Sequence, residues 1–267
     1  MAKPTPLGVR EHFDEIAPAY YDIVDRLWYD VGYYHRRESE ILSSFLNRRP
    51  KLAIDAGCGP GRHTAALQRR SSRTVAVDVS RKMLEETRQR VLNNSSAIVD
   101  FIQADIRKLP FKPGVSDFIV SFEVLEHLPG TTQDPSMAIH EFFRVLKPHG
   151  VLLAEAPLIR HLSWARFLST EGTWKELSQS ERERYYRRRP LQANHRFHDR
   201  DIESSLRAAG LEIETRFYVR VLPARLVEQF PFLTGVDRIL EAIPFVRRLA
   251  REAIWIARIR KAKALLW

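Results

Sequence analysis

Five short runs of apolar, mostly β-branched residues recur between residues 50 and 157, and they constrain the fold of this chain more than any other feature. They are KLAID (51–55), TVAVD (74–78), VDFIQAD (99–105), SDFIVSF (116–122) and GVLLAEA (150–156). A strand with one wet face alternates apolar and polar residues, whereas a near-continuous apolar run is covered on both faces, as in a parallel sheet. Helical patterns lie between the runs. One opens near Gly61 and runs through HTAALQRR. A second has Ser80 as its N-cap before RKMLEETRQRVL, and a third spans roughly Pro135 to Leu146, closed by Pro148 and Gly150. This alternation predicts a doubly wound, mostly parallel α/β sheet with its ligand at the C-terminal edge of the strands.

After residue 157 the rhythm changes. Residues 158–197 carry arginines, aromatics and the charge run ERERYYRRRP without a strand-like stretch, which reads as an insertion forming a lid over the ligand edge. Asp199 is placed to cap a helix through Arg207 that ends at Gly210, and a strand follows from Leu211 to about Val221. Residues 226–250 have helix-like apolar spacing interrupted by Pro231 and Pro244. The stretch AIWIARIRK (253–261) fits a basic amphipathic helix or a strand; alternation and β-branching favour a strand, the antiparallel terminal member of the sheet. The expected organisation is an N-terminal helical entry or cap segment (1–48), a ligand-binding core (49–157), the lid (158–197), and the remainder of the fold with a basic C-terminal elaboration (198–267).

Composition excludes several classes. Hydrophobic residues at 44% and charged residues at 28% fit a globular domain rather than a disordered chain. No apolar run approaches the roughly 18–20 residues that span a bilayer, and the N-terminus lacks the apolar stretch of a secretory signal, so the expected location is the cytoplasm. A single cysteine, Cys58, provides neither a disulfide framework nor a cysteine-based zinc site. Charge is unevenly spread: residues 158–267 hold 22 Lys and Arg against 13 Asp and Glu, nine of the ten net positive charges. That asymmetry fits either an arginine-rich solvated surface or an anionic partner, whether phosphate-bearing substrate, membrane surface or nucleic acid.

The chemistry concentrates in Asp55-Ala56-Gly57-Cys58-Gly59-Pro60-Gly61, directly after the first strand and opening a helix. Glycines allow positive φ and close approach of a ligand to the backbone, and the helix N-terminus offers unpaired N–H groups. A glycine-rich turn alone is shared by many nucleotide-binding folds. What sharpens this one is acid at each strand end. Asp55 ends the first, and Asp78 ends the second, where a carboxylate accepts both ribose hydroxyls of an adenosine. Asp105 ends the third, placed for an adenine amino group, and Glu123 follows the fourth. The four converge on one crevice.

The set DAGCGPG, VAVDVS, QADIRKLPF, FEVLEHL and RVLKPHGVLL resembles the motif series of class I S-adenosylmethionine-dependent methyltransferases, and of their small-molecule branch, which includes the ubiquinone- and menaquinone-biosynthesis-like enzymes. The opening HFDEIAPAYYD (12–22) is similar to that branch's entry segment. The resemblance covers residues 10–157 well and 195–221 loosely. It implies a Rossmann-like fold with S-adenosylmethionine as cofactor. Gly57, Gly59 and Gly61 would pass under the methionine portion, Asp55 would hold its amino group, and Asp78 the ribose. Asp105 and Ile106 would bracket the adenine, and Glu123 would border the sulfonium. Met83 packs either on the adenine or in the core, and Tyr20 and Tyr21 close over the cofactor.

A methyl sulfonium is already activated, so the protein's main task is alignment; a base is needed only where the acceptor carries a proton. His127, following the fourth strand, is the candidate general base, its alternative being to orient a loop; His195 and His198 are weaker candidates. No Asn/Asp-Pro-Pro-Tyr/Phe tetrapeptide and no cysteine near the fourth strand are present, which demotes nucleic acid as a partner, and neither an HExxH metal motif nor a P-loop occurs. Trp164, Phe167, Trp174, Tyr185 and Tyr186 interleave with Arg160, Arg166 and Arg187–Arg189 in the insertion, which fits a small-molecule or lipid-linked acceptor with an acidic head and an apolar body, and a peripheral contact of the distal part with anionic membrane. RNA methylation and a cofactor-binding module without turnover are the alternatives.

Overall fold

The computed structural model describes residues 6–20, 30–46, 49–92, 98–129, 133–159, 195–222 and 224–259. Among the described residues, helices α1 (Pro6–Ile16) and α2 (Asp30–Phe45) precede the sheet. The core then runs β1 (Leu52–Ala56), α3 (Arg62–Arg70), β2 (Arg73–Asp78), α4 (Arg81–Leu92), β3 (Ile98–Gln103), β4 (Ser116–Ser121), α5 (Gln133–Val145) and β5 (Leu146–Pro157). After the expected insertion come α6 (Asp199–Ala208), β6 (Leu211–Val219), α7 (Ala224–Gln229), α8 (Leu233–Ala242) and β7 (Glu252–Ile259). The insertion itself, from residue 160 to 194, lies outside the described residues, as does Tyr21.

Seven strands form one sheet in the order β3-β2-β1-β4-β5-β7-β6. The pairs from β3 to β5 are all parallel, and β7 runs antiparallel to both β5 and β6. Residues Glu252–Ile259 are therefore a strand, last of the described elements yet inserted between two other strands. The apolar runs have the predicted cause. On β4, Ile119 joins a core cluster with Ile139 and Phe142 of α5, while Phe118 and Val120 join another with Ile41 and Leu42 of α2 and Leu67 of α3. β7 does the same, with Trp255 entering the first cluster and Ile254 and Ile256 the second. Both faces are covered, so a polar residue at either parity would be stranded.

Three local readings are corrected. The third core helix starts at Gln133 and ends at Val145 without a closing turn, because β5 begins at Leu146. Ser116 pairs with Leu146 and Phe118 with Val151, so Pro148 and Gly150 lie in an excursion of β5 rather than at a helix cap. His198, in extended conformation, holds the N-cap position of α6; Asp199 is its first helical residue, and its carboxylate accepts the Tyr218 hydroxyl at 2.9 Å. β6 stops at Val219 because Arg220 takes φ of 65°. Ser80 does cap α4, its Oγ accepting the Met83 amide at 3.1 Å.

Candidate functional site

Strand order reverses between β1 and β4, the point where an open α/β sheet leaves a crevice above its carboxyl ends. A cleft opens there with about 870 Å³ of empty space including its open mouth. Gly57, Gly59, Asp78, Asp105, Ile106, Glu123 and His127 all line it. Two expected site residues do not. Asp55 is buried beneath the glycine turn, where its Oδ2 accepts the Thr64 hydroxyl at 2.6 Å. Gly61 faces α4 instead, and a Cβ there would stand 2.7 Å from Thr87 Cγ2.

The glycine turn is pinned from below, with the amides of Gly57 and Cys58 both donating to the Val77 carbonyl at 2.8 and 2.9 Å. Gly57 at φ of 82° sits so close to the β4 loop that a Cβ would approach Val124 to 2.4 Å. A Cβ at Gly59 would meet nothing within 4 Å, so its side is open for a ligand. Asp78 Oδ2 accepts the Gly59 amide and its Oδ1 the Ser80 amide, both at 2.8 Å. Burial pushes this carboxyl up to about 6, against the pull of those two amides. Each of its oxygens keeps a lone pair for a hydroxyl donor.

Beside Asp78 the cleft is an apolar slot made by Val79, Met83, Ala104, Ile106, Leu128 and Pro129. Met83 is 1% exposed, so it is a core residue whose surface also borders the slot. Asp105 is gripped by its neighbour: Arg107 Nε and Nη2 donate to its two oxygens at 3.0 and 2.6 Å. That guanidinium outweighs the opposing effect of burial and holds the carboxyl below its ordinary range. The slot and the Asp78 oxygens fit a flat base on a ribose, and S-adenosylmethionine as a whole fits this donor set.

The other end of the cleft is polar and was not foreseen. Glu123 takes φ of 55°, an uncommon conformation outside glycine, held by its amide donating to Glu155 Oε2 at 2.6 Å. Its own carboxylate receives Arg62 Nη2 at 2.7 Å, and that cation overcomes burial to keep it below the ordinary range. His35 Nε2 lies 3.8 Å from the same carboxylate, while Glu38 stands 3.7 Å from Arg62 and 3.4 Å from His63. Ligand atoms of His35, Glu38 and Glu123 lie within 4.8 Å of one another, as in a metal site, but Arg62 is the cation that answers them. One sign of this layer was legible: Glu155 is an acid inside an otherwise apolar strand run. Arg62, His35 and Glu38 come from helices whose approach only the fold determines.

His127 sits in a 3-10 turn (Leu125–His127) with its ring edge-on to Phe13, centroids 5.1 Å apart. Burial lowers it to about 4, helped by His12 and His195, so it is neutral at pH 7. Its Nδ1 has no hydrogen-bond partner among the described residues. Phe13 and Tyr20 bring the N-terminal segment over the cleft, fastened where Asp14 Oδ1 accepts the Ser80 hydroxyl at 2.7 Å. Residue 195 docks beside them, its amide donating to the Glu126 carbonyl at 3.0 Å; His198 does not line the cleft.

Glu126 is a testable part of this acidic layer. Burial first, then Glu123, Glu252 and Glu38, push its carboxyl up to about 8. The folded chain thus holds a proton that the unfolded chain releases near pH 4.5, so this contribution to stability is complete below that pH and is lost as pH rises through about 8. Glu126→Gln should melt close to wild type at pH 5 and distinctly higher at pH 9, where ionising the buried carboxyl costs the wild type several kcal/mol. Thermal melts at both values check this, and an equal shift at each would remove the titration as its cause.

A doubly wound sheet with its cleft at the strand-order reversal, a glycine turn and an acid ending the second strand together have the fold of class I methyltransferases. Residues 54–154 match the methyltransferase-domain family. Trans-aconitate 2-methyltransferase of Methylobacterium radiotolerans is 32% identical over 124 residues, 46% of this chain and 44% of that protein. The matched stretch spans between about a third and a half of the length of four curated relatives. Among solved structures, magnesium protoporphyrin IX methyltransferase of Synechocystis PCC 6803 with bound S-adenosylmethionine superposes with a TM-score of 0.52 at 17% identity, covering 85% of this chain and 78% of that one. The [4+2]-cyclase SpnF superposes with a TM-score of 0.57 at 20% identity, over 84% and 80%. These structures speak to the fold, which in SpnF carries a cyclase. The resemblance read from the motifs stands. Among the described residues no helix is long and apolar enough to cross a membrane.

Proposed function

We propose that this protein is an S-adenosylmethionine-dependent methyltransferase acting on a small-molecule acceptor. The observation that carries the reading is one cleft lined by the glycine turn, Asp78, the Ile106 slot and Glu123, at the reversal of strand order. The cofactor, when bound, supplies a methyl group already activated on a sulfonium. Asp78 accepts the ribose hydroxyls, Met83 and Ile106 enclose the adenine with Asp105 at its edge, and the backbone of Gly57 and Gly59 runs under the methionine portion. Asp55 and Gly61 serve from behind the wall, the first by bracing α3 through Thr64 and the second by letting α4 approach. Arg62 is the cation suited to the methionine carboxylate, and Glu123 the anion beside the sulfonium.

Phe13 and Tyr20 exclude water from the acceptor side, where positioning supplies most of the rate. His127, neutral at pH 7, accepts the acceptor's hydrogen bond and orients it, a group held near 4 being a weak base; the acceptor atom in this reading is an oxygen or a carbon. Residues 49–157 form the cofactor core, 1–48 its cap, 158–197 a substrate lid and 198–267 the rest of the sheet with its basic elaboration. A lipid-linked acceptor and a cytoplasmic, membrane-peripheral location agree with the charge asymmetry. The trans-aconitate methyltransferase relative makes a small carboxylate the first acceptor class to try. Incubation with methyl-labelled S-adenosylmethionine and a host extract, followed by organic/aqueous partition, tests the reading. Label in the organic phase supports a lipid-linked acceptor and aqueous label a polar metabolite. Label in RNA would replace both, and tight cofactor binding without any transfer would leave a binding module.

A further inference from the structure

Glu155 is an acid set inside the sheet. Its backbone pairs with Ile254 of β7, it is 1% exposed, and Ala154 and Ala156 flank it along β5. A carboxyl placed there costs free energy unless it answers a donor, and the donor is the Glu123 amide at 2.6 Å. The strand register explains the need. The β4–β5 ladder ends at the pair Ser121 and Ala154. Two residues further on, the Glu123 amide turns to a side chain rather than to a strand carbonyl. Burial first, then Glu126, Glu252 and Glu38, push Glu155 well above the ordinary carboxyl range and favour its neutral form. A neutral carboxyl accepts that amide without setting a second negative charge behind the Glu123 carboxylate. Glu123 needs the support, because its φ of 55° is a conformation that the surrounding structure must hold. Val124, the next residue, stands where a Cβ on Gly57 would meet it at 2.4 Å, so the loop is fixed on two sides. Held in this way, the Glu123 side chain lines the cleft, 32% exposed, with Arg62 Nη2 at 2.7 Å.

We propose that Glu155 is a positioning residue: it fixes where the Glu123 carboxylate stands, and thereby how far the cleft favours a positively charged sulfonium over a neutral thioether. The inference rests on the methyltransferase reading. In transfer, an electron pair of the acceptor forms the new bond to the methyl carbon, and the sulfur keeps the pair of the bond that breaks. The sulfonium thus becomes a thioether, and the sulfur is left neutral. A carboxylate beside it attracts the charged cofactor and loses that attraction once the methyl has moved, which loosens the spent cofactor. Glu155 itself does not line the cleft, so its influence on either ligand runs through Glu123.

Calorimetric titration of the full-length protein with S-adenosylmethionine and with S-adenosylhomocysteine tests it, read as the ratio of the two affinities. Glu155→Leu removes the acceptor of the Glu123 amide and should lower that ratio about tenfold. Glu155→Gln keeps a carbonyl at the same reach and should keep the wild-type ratio. Glu155→Asp draws the carboxyl back by one methylene and should lower the ratio as Glu155→Leu does, and it serves where the apolar variant does not fold. On a Glu123→Gln background, Glu155→Leu should leave the ratio where Glu123→Gln alone puts it. A ratio unmoved in Glu155→Leu, or in Glu155→Asp, overturns the proposal even if both affinities fall together, since a merely structural role would do that. Glu155→Gln behaving like Glu155→Leu overturns it as well, and so does a further fall on the Glu123→Gln background. Wild type that binds neither ligand defeats the methyltransferase reading and this inference with it, whereas binding with an unmoved ratio defeats this inference alone.

Discussion

Asp78→Asn should weaken S-adenosylmethionine binding about a hundredfold, the equivalent of about 3 kcal/mol in charge-assisted hydrogen bonds. The carboxylate orders the glycine turn through Gly59, holds the start of α4 through Ser80, and offers its remaining lone pairs to a ribose. An amide presents only one acceptor oxygen to those donors. The pH dependence follows with a definite sign. Hydroxyl donors favour the ionised form, and burial has raised the group to about 6, so wild-type affinity should fall as pH drops below that value. The variant should lose that dependence. Calorimetric titration between pH 5 and 8 measures both effects, and wild-type-like affinity in the variant would remove Asp78 from the cofactor site.

Gly57→Ala should be nearly as damaging, by a different route. At φ of 82° a side chain is strained by about 1–2 kcal/mol. Its Cβ would also stand 2.4 and 2.6 Å from the two methyl carbons of Val124, an overlap of the kind that costs about 1–3 kcal/mol. Together these predict a melting temperature lower by about 5–15 °C and a weaker cofactor site, because Val124 adjoins Glu123. Adding Val124→Ala should recover the overlap part while leaving the φ strain. If the double variant melts no higher than Gly57→Ala alone, contact with Val124 is not the cause.

Much of the glycine-turn side of the cleft was legible in the chain. Gly57, Gly59, Asp78, Asp105 and Ile106 are consecutive with strands whose apolar runs announce themselves, and a parallel sheet brings the ends of such strands to one edge regardless of detail. The polar end around Glu123 was not legible. Arg62, Glu38 and His35 reach Glu123 from two helices, and nothing in sequence spacing encodes the approach of α2 to α3. Asp55 shows the converse: its position after β1 promised a ligand contact, yet its side chain points to Thr64 under the turn.

The chain's distal part makes the same division. Pro231 and Pro244 marked the breaks in the helical pattern, and alternation marked residues 253–261 as a strand, since both are local preferences of the backbone. Which side of α8 faces water was decided only in the folded molecule, where Arg37 and the Leu222 amide give Glu241 and Asp237 better partners inside than solvent offers outside. By itself the sequence determined the parallel α/β core and the cofactor edge, because periodicity and glycine turns act over a few residues. The packing that chose the partners of Glu123, Arg62 and α8 joins residues up to 204 positions apart, and only tertiary structure decides contacts of that range.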